Sequence, residues 1–354
     1  MLNLNMRNKK IMSNFWASLC IMVLLVFIIS TSCTKKSEQT ISEKPTARLA
    51  AFQLYVSGLV VAADQSVKII PDTDCFADAN LDCTIIKRSK GPEVVDALVG
   101  GSADFGTLAN TPVVLQALQK SDLVIFATIQ TTDHDIKVVG HSTQGVDSGS
   151  SLKGKRIGFV GGTIGEIFLN RYFSKHGIDK SEVTLTSAGP AQLRDLFLSK
   201  SLDAIIIWEP IIQDILKDKS VDRNEIFLDV DRSLYVLRMH LVARPQVLKE
   251  KREAAQNLVR ALICGENLVK KYPDKARQLL ELWLDRQPGT LVNVFEEETF
   301  RVGLDVPKLL VELKQEAEWA QEAVFSGKAV MPDDFSRYID PTILESIDPN
   351  RVKK

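Results

Sequence analysis

The sequence predicts an α/β fold of two lobes with a cleft between them, and three observations lead to this prediction. From residue 48 onward, short apolar runs alternate with amphipathic stretches, a pattern typical of mainly parallel sheets flanked by helices. A Gly-, Ser- and Asp-rich break at 144–151 interrupts the alternation, which then restarts. From residue 245 to the end the pattern is helical, and we expect this part to pack largely on the first lobe.

The first block contains five predicted strands and three predicted helices. Its apolar runs predict strands over 48–55, 82–87, 103–106, 123–129 and 136–140. The predicted helices cover 58–65, 92–100 and 112–120. In the second of these helices the apolar residues follow the helical period, and the third has Pro112 at an early position, which helix starts favour.

The second block repeats this order after the break. Strands are predicted over 156–160, 183–186 and 204–208, with helices over 163–176 and 192–199. A strand over 235–243 then leads back toward the first lobe, followed by helices over 254–271, 273–285 and 306–324. We therefore assign 48–144 and 236–354 to lobe 1 and 145–235 to lobe 2.

Composition fits a chain with room for two domains. It has 354 residues, of which 45% are hydrophobic and 25% charged, with a formal net charge of -1. This balance gives no support for a nucleic-acid partner or for a polybasic membrane contact.

The first 32 residues look like an export signal, and 33–47 like a solvated tether. Basic Arg7, Lys9 and Lys10 precede an uncharged apolar run over 15–29. A small residue directly before Cys33 resembles the lipobox of bacterial lipoproteins, although Ser30 departs from the usual Leu. The resemblance implies a lipid anchor on Cys33. An uncleaved anchor and simple secretion are the alternatives, and all three place the body of the protein outside the cytoplasmic membrane, at its outer face or in the periplasm.

Cys75 and Cys83 flank a polar, turn-rich segment. In an oxidising compartment we expect a disulfide between them, with two free thiols as the alternative. No His or second Cys pair accompanies them, so no metal site is expected. Cys264 lies on a helical pattern and is interpreted as a small buried apolar residue.

Five segments taken in order resemble the solute-binding proteins of ABC transporters for nitrate, sulfonates, taurine and thiamine-precursor pyrimidines. They are Phe52-Gln53, the run from Gly101 to Gly106, Asn110-Thr111-Pro112, the run from Leu152 to Gly158, and Trp208-Glu209-Pro210. The resemblance implies a class II periplasmic-binding-protein fold, a small-molecule ligand and a permease partner in the cytoplasmic membrane, and it brings no cofactor.

Candidate ligand contacts of the first lobe lie at strand ends and helix starts. Unpaired N–H groups at the start of a helix can hold an anion without a buried Lys or Arg. Asn110 and Thr111 stand before Pro112 and can add side-chain donors, or they can serve only as helix caps. Gln53 takes the ligand-facing position that the resemblance implies, and Ser57 follows it.

The second lobe offers Thr163 and Glu166 at the start of its first helix. Thr163 can donate a hydroxyl, whereas Glu166 either favours the helix dipole or accepts a hydrogen bond from an amine on the ligand. Trp208 and Glu209 follow an apolar strand, where open α/β sheets bind ligands. The alternatives are lobe packing for Trp208 and a turn acid for Glu209.

Thr132 and Asp133 lie near the expected crossover between the lobes. The adjacent His134 is interpreted as a surface or hinge histidine. No Gly-x-Ser-x-Gly or His-Glu-x-x-His pattern occurs, so the sequence predicts no enzyme.

These observations predict a binding protein that captures a small polar solute, such as a sulfonate, nitrate or taurine, and delivers it to an ABC importer by hinge closure. A thiamine-precursor aminopyrimidine is the alternative ligand. The other hypotheses are an enzyme of thiamine or menaquinone biosynthesis on the same fold, and a lipoprotein sensor or scaffold.

Overall fold

The strands in the described part of the chain form two separate sheets with helices packed against them. The computed structural model describes residues 44–52, 58–64, 69–70, 73–292, 295 and 299–354. The predicted signal peptide, Cys33, most of the tether, Gln53 and Ser57 lie outside these residues. Within the described ranges, no helix combines the length and hydrophobicity that a membrane crossing requires.

The elements follow the predicted alternation. In chain order the strands are β1 (Thr46–Phe52), β2 (Asp82–Arg88), β3 (Phe105–Leu108), β4 (Val124–Thr132), β5 (Ile136–His141), β6 (Arg156–Phe159), β7 (Thr184–Ser187), β8 (Ala204–Trp208), β9 (Ile226–Asp229), β10 (Leu237–Ala243), β11 (Thr299–Asp305) and β12 (Val352–Lys353). The helices are α1 (Gly58–Asp64), α2 (Cys75–Asp78), α3 (Gly91–Val99), α4 (Asn110–Leu118), α5 (Ile164–His176), α6 (Pro190–Leu198), α7 (Ile211–Leu216), α8 (Pro245–Glu250), α9 (Arg252–Lys271), α10 (Pro273–Trp283), α11 (Val306–Ala323) and α12 (Thr342–Glu345).

Each sheet is the centre of one lobe. Lobe 1 has the strand order β12-β11-β4-β10-β3-β1-β2, and lobe 2 has the order β7-β6-β8-β5-β9. Strand β5 pairs with β8 and β9, so the chain changes sheet between β4 and β5, earlier than the predicted boundary at residue 144. It returns between β9 and β10.

Both sheets are mixed, which corrects the expectation of mainly parallel sheets. The βαβ units pair in parallel, as β1 does with β2 and β3 and as β6 does with β7 and β8. The strands beside the two crossovers are antiparallel to their neighbours, because the chain leaves a sheet and re-enters it from the opposite direction.

The C-terminal part is less helical than predicted. Strand β11 adds to lobe 1 antiparallel to β4, and β12 pairs with β11. Helix α9 packs against α1 and α2, and α11 packs against α4, so these helices lie on lobe 1.

One Arg–Asp arrangement occurs in both lobes. The backbone N–H of Arg48 donates to Asp104 Oδ2 at 2.9 Å, and its Nη2 donates to Oδ1 at 2.8 Å. The backbone N–H of Arg156 donates to Asp203 Oδ2 at 2.7 Å, and its Nη2 donates to Oδ1 at 2.6 Å. Each aspartate directly precedes one of two neighbouring parallel strands, and its arginine lies on the other. Each pair therefore fixes the start of one strand against its neighbour.

The disulfide of the structure joins Cys75 to Cys264, not to Cys83 as expected. The segment after Cys75 folds into α2, which packs against α9, and this places the two half-cystines 5.7 Å apart at Cα. Cys83 lies instead on β2, paired in register with Ala47. Cys83 is a free thiol, and burial raises its pKa to about 12. The interpretation of Cys264 as a simple apolar core residue was wrong, because Cys264 is a half-cystine. Its partner lies 189 residues away in sequence.

We predict that a tryptic digest of the unreduced protein contains peptide 69–87 linked to peptide 261–270. Cys75 and Cys83 share the first of these peptides, so a bond between them would leave that peptide unlinked and two mass units lighter. Mass spectrometry after alkylation of free thiols separates the two outcomes. An unlinked peptide 261–270 carrying an alkylated Cys264 contradicts the observed pairing.

We predict that Asp104→Asn lowers the free energy of unfolding by about 2 kcal/mol at pH 7, at about 1.4 kcal/mol per pKa unit. Burial opposes ionisation, but hydrogen bonds from Arg48 and Lys251 outweigh it and lower the pKa of Asp104 to about 2. Since the folded pKa lies below the unfolded value, the contribution is present above about pH 4 and is lost as the pH falls toward 2.

Urea unfolding of the parent chain and of Asp104→Asn between pH 3 and 7 measures this dependence. Asp122→Asn is the matched control, because Asp122 pairs with Arg337 and both side chains are exposed. If the difference in free energy of unfolding between Asp104→Asn and the parent does not change with pH, the lowered pKa of Asp104 is contradicted.

Candidate functional site

Asn110 and Thr111 are the first two residues of α4, and both side chains bind one carboxylate. Asn110 Nδ2 donates to Glu316 Oε1 at 3.0 Å, and Thr111 Oγ1 donates to Glu316 Oε2 at 2.7 Å. The helix begins at Asn110, so the two residues lie inside its first turn instead of before it. The side-chain donors assigned to a solute are therefore bonded to a residue of the same chain.

Glu316 lies on α11 and is only 3% exposed. Its third donor is the hydroxyl of Tyr235, 3.1 Å from Oε1. Burial raises the pKa of Glu316, while its three donors and the charge of Arg171 favour the ionised form. Glu316 was not among the predicted site residues, although its position in the sequence pattern marks it as unusual. Glu316 is the one charged member of the buried stripe of α11, whose other members are Leu309, Leu313, Ala317 and Ala320.

His240 on β10 continues the network into the centre of lobe 1. Its Nε2 lies 2.6 Å from Asn110 Oδ1, and its Nδ1 lies 3.0 Å from Thr128 Oγ1. The amide nitrogen of Asn110 donates to Glu316, so the amide oxygen of Asn110 must accept a hydrogen bond from His240. This bond assigns the proton of the His240 ring to Nε2. Burial lowers the pKa of His240 to about 3, so the imidazole is neutral. A chain of buried hydrogen bonds thus runs from β4 to α11.

A pocket of about 140 Å³ adjoins this network between the lobes. It is lined by Arg171 of α5, by the return crossover around Tyr235, and by Glu312 and Glu316 of α11. Arg171 donates to the carbonyl of Leu234 at 2.7 Å, and its guanidinium lies 5.8 Å from the centre of the Tyr235 ring. Elements of both lobes and the crossover between them therefore meet at one small polar space.

In lobe 2, the start of α5 is capped by its own side chains. Thr163 Oγ1 accepts from the Gly165 N–H at 3.1 Å and donates to the Val160 carbonyl at 2.7 Å. Glu166 accepts from the Gly162 N–H at 2.8 Å, and Gly162 adopts a φ of 68° that few other residues tolerate. Thr163 and Glu166 thus make the bonds of a helix cap. For Glu166 this agrees with the structural role at the helix start, which the sequence analysis gave as the alternative to a ligand contact.

Trp208 and Glu209 occupy different environments although they are adjacent. Trp208, the half-buried last residue of β8, lies against the first turn of α5, where a Cβ on Gly165 would be 3.4 Å from the indole. Glu209 is fully buried and accepts from Lys137 Nζ at 2.7 Å and from the Gln213 N–H at 3.3 Å. Glu209 therefore forms a structural ion pair with Lys137. Of the two adjacent residues, Trp208 is the one that lies near the start of α5.

The two crossovers between the lobes are tied to each other. Asp133 on the outgoing crossover accepts from Arg232 on the return crossover at 3.3 Å, and its Oδ1 lies 3.2 Å from His134 Nδ1. Thr132 Oγ1 is 3.2 Å from the same ring nitrogen. His134 is only 2% exposed, so it is a buried histidine of the outgoing crossover and not a surface one.

The assembled groups offer recognition through hydrogen bonds and charge. Across the described residues, no three His, Cys, Asp or Glu side chains are placed to hold a metal ion. Lobe 1, α5 and the return crossover each contribute polar groups to one pocket, namely Asn110, Glu316, Arg171 and Tyr235, whereas Glu209 is held separately by Lys137.

A family model described as NMT1/THI5 like matches residues 71–276, more than half of the chain. A putative binding protein of Brucella abortus (strain 2308) is 26% identical over 193 residues, covering 53% of this chain and 57% of that protein. The chain thus spans little more than half the length of this relative. The taurine-binding periplasmic protein of Escherichia coli (strain K12) is 22% identical over 245 residues, covering 66% of this chain and 75% of that protein.

Solved structures show the fold. The periplasmic aliphatic sulphonate-binding protein of Escherichia coli superposes with a TM-score of 0.69 at 17% identity, covering 81% of this chain and 95% of that one. The periplasmic nitrate-binding protein of Synechocystis PCC 6803 gives a TM-score of 0.61 at 12% identity, covering 87% and 89%. The predicted periplasmic-binding-protein fold is confirmed.

We predict that Glu316→Gln becomes more stable relative to the parent chain as the pH rises from 4 to 8. A glutamine oxygen can accept from Asn110 and Tyr235, and its amide can donate to the Thr111 hydroxyl. Because the folded pKa of Glu316 is raised, the folded parent binds its proton more tightly than the unfolded chain does. Its stability therefore falls as the pH rises through this range, and the glutamine variant escapes that loss.

Thermal unfolding of both proteins across this pH range tests the assignment. A difference in Tm that shrinks with rising pH would show that the Glu316 carboxyl is more acidic in the folded state than in the unfolded chain.

Proposed function

The chain belongs to the NMT1/THI5-like family, and from that membership we propose that it is an extracytoplasmic solute-binding lipoprotein. In this proposal it captures a small polar solute between its lobes and passes it to the permease of an ABC importer. The relatives named for taurine and aliphatic sulfonates, together with the fold of the nitrate-binding protein, favour a sulfonate, nitrate, taurine or related solute.

The observation that carries this proposal is the pocket of about 140 Å³ lined from both lobes and from the return crossover. A solute there contacts Arg171 of lobe 2 and Glu316 of lobe 1 at once. Contacts with both lobes favour the closed arrangement over the open one, so binding is linked to hinge closure. The Asp133–Arg232 pair joins the two crossovers about which such a movement turns.

An aminopyrimidine is the second candidate for the solute. Trp208 is a half-buried aromatic side chain that packs against the first turn of α5, and Glu166 belongs to that turn. An aromatic face beside a carboxylate suits a flat ring that carries an amine.

The same proposal includes an N-terminal export signal, a lipid anchor and a tether. Residues 1–32 direct export, Cys33 carries the lipid, and 33–47 tether the lobes to the outer face of the cytoplasmic membrane. A lipid on the first residue of the processed chain would hold the protein near its permease.

We predict that the purified full chain carries or binds a small polar solute. Native mass spectrometry should show a ligand-bound species whose extra mass is released by gentle denaturation. Added back at a hundredfold excess over its dissociation constant, this solute should raise the free energy of unfolding by about 2.7 kcal/mol. A preparation without bound solute, whose Tm is unchanged by sulfonates, nitrate, taurine and aminopyrimidines, would contradict the proposal.

A further inference from the structure

Glu316 occupies the place at the start of α4 that an anionic solute would need. Both side-chain donors of the first turn, Asn110 and Thr111, already point to its oxygens at 3.0 and 2.7 Å. An oxyanion placed beside them would compete with the Glu316 carboxyl for these donors, and the ionised form of Glu316 would repel it strongly in a region of low dielectric. This helix start is therefore unsuited to a nitrate or a bare sulfonate group.

The equivalent helix start in lobe 2 also carries a carboxylate of the chain. Glu166 accepts from the Gly162 N–H at 2.8 Å, and the Thr163 hydroxyl takes the Gly165 N–H. Two backbone donors that could hold an anion, the N–H groups of Gly162 and Gly165, are thus already bonded on this side too. Each lobe thus has a carboxylate at a helix start, bonded to side-chain donors in lobe 1 and to a backbone N–H in lobe 2.

The pocket beside Glu316 has acceptors to offer. A carboxylate provides about four acceptor positions, and Asn110, Thr111 and Tyr235 use three of those on Glu316. Glu312, one helical turn earlier, lines the same space while it pairs with Arg238 at 2.6 and 3.0 Å. The volume of about 140 Å³ is close to that of a cavity that holds one benzene-sized molecule.

We propose that Glu316 is a specificity-determining residue, which selects solutes that carry an amine and excludes plain oxyanions. The inference rests on the proposed solute-binding function and narrows its ligand class. An amine or ammonium hydrogen fills the remaining acceptor position of Glu316, and a negative group elsewhere on the same solute has Arg171 on the opposite side of the pocket. Taurine and an aminopyrimidine fit this class, whereas nitrate and an alkanesulfonate without nitrogen do not.

Two pairs of probes that differ only in an amine test the proposal. Taurine is compared with ethanesulfonate, and 4-aminopyrimidine with pyrimidine, by isothermal titration and thermal shift on the full chain. At least one amine-bearing probe should bind at least tenfold more tightly than its partner. Equal or tighter binding of an amine-free partner would overturn the proposal.

Glu316→Gln should lose at least tenfold in affinity for the amine-bearing probe and bind its amine-free partner no more weakly than the parent does. Glu318→Gln is the matched control, because Glu318 lies on the same helix but is exposed. Equal losses in both variants, or no loss in Glu316→Gln, would remove Glu316 from recognition.

Native mass spectrometry separates failure of this inference from failure of the proposed function. If no probe binds, a co-purified solute with a basic nitrogen supports the selection, and one without nitrogen overturns it while leaving the solute-binding function standing. Absence of any bound solute overturns both.

Discussion

Burial of the Glu316 carboxylate is the constraint on which the arrangement around the inter-lobe pocket depends. A buried carboxylate is tolerated only where donors surround it, and its three donors come from α4 and from the return crossover. The carboxylate therefore fixes α11, α4 and the crossover in one geometry. Because Asn110 donates its amide nitrogen to Glu316, its oxygen faces His240. His240 must therefore be neutral and protonated at Nε2.

The alternation of strands and helices was predictable because each element buries one face, and burial imposes a period on the sequence. The separation into two sheets followed from the break at 144–151, although the chain changes sheet about ten residues earlier. Strands β11 and β12 were missed because they pair across long sequence distances, and their residues carry little period of their own. The Cys75–Cys264 bond was missed for a related reason, since closeness in sequence favoured Cys83.

At the candidate site, local patterns identified the helix starts but not their partners. Thr163 and Glu166 act within one turn, so their bonds are encoded nearby. Asn110 and Thr111 were correctly placed at a helix start, yet their bonds go to Glu316, 206 and 205 residues away. Only the charge of Glu316 within an apolar stripe hinted at a buried role. The repeated Arg–Asp pairs show the same limit, because Asp104 and Asp203 bond to arginines 56 and 47 residues away in sequence.

The Cys75–Cys264 bond has a topological consequence. The chain leaves lobe 1 after β4 and returns at β10, and both passages lie between the two half-cystines. Lobe 2 is thus enclosed in a covalent ring that is closed through lobe 1. A single nick by a protease anywhere in lobe 2 would open the ring without releasing a fragment, so the damaged molecule would stay in one piece until a reductant reached it.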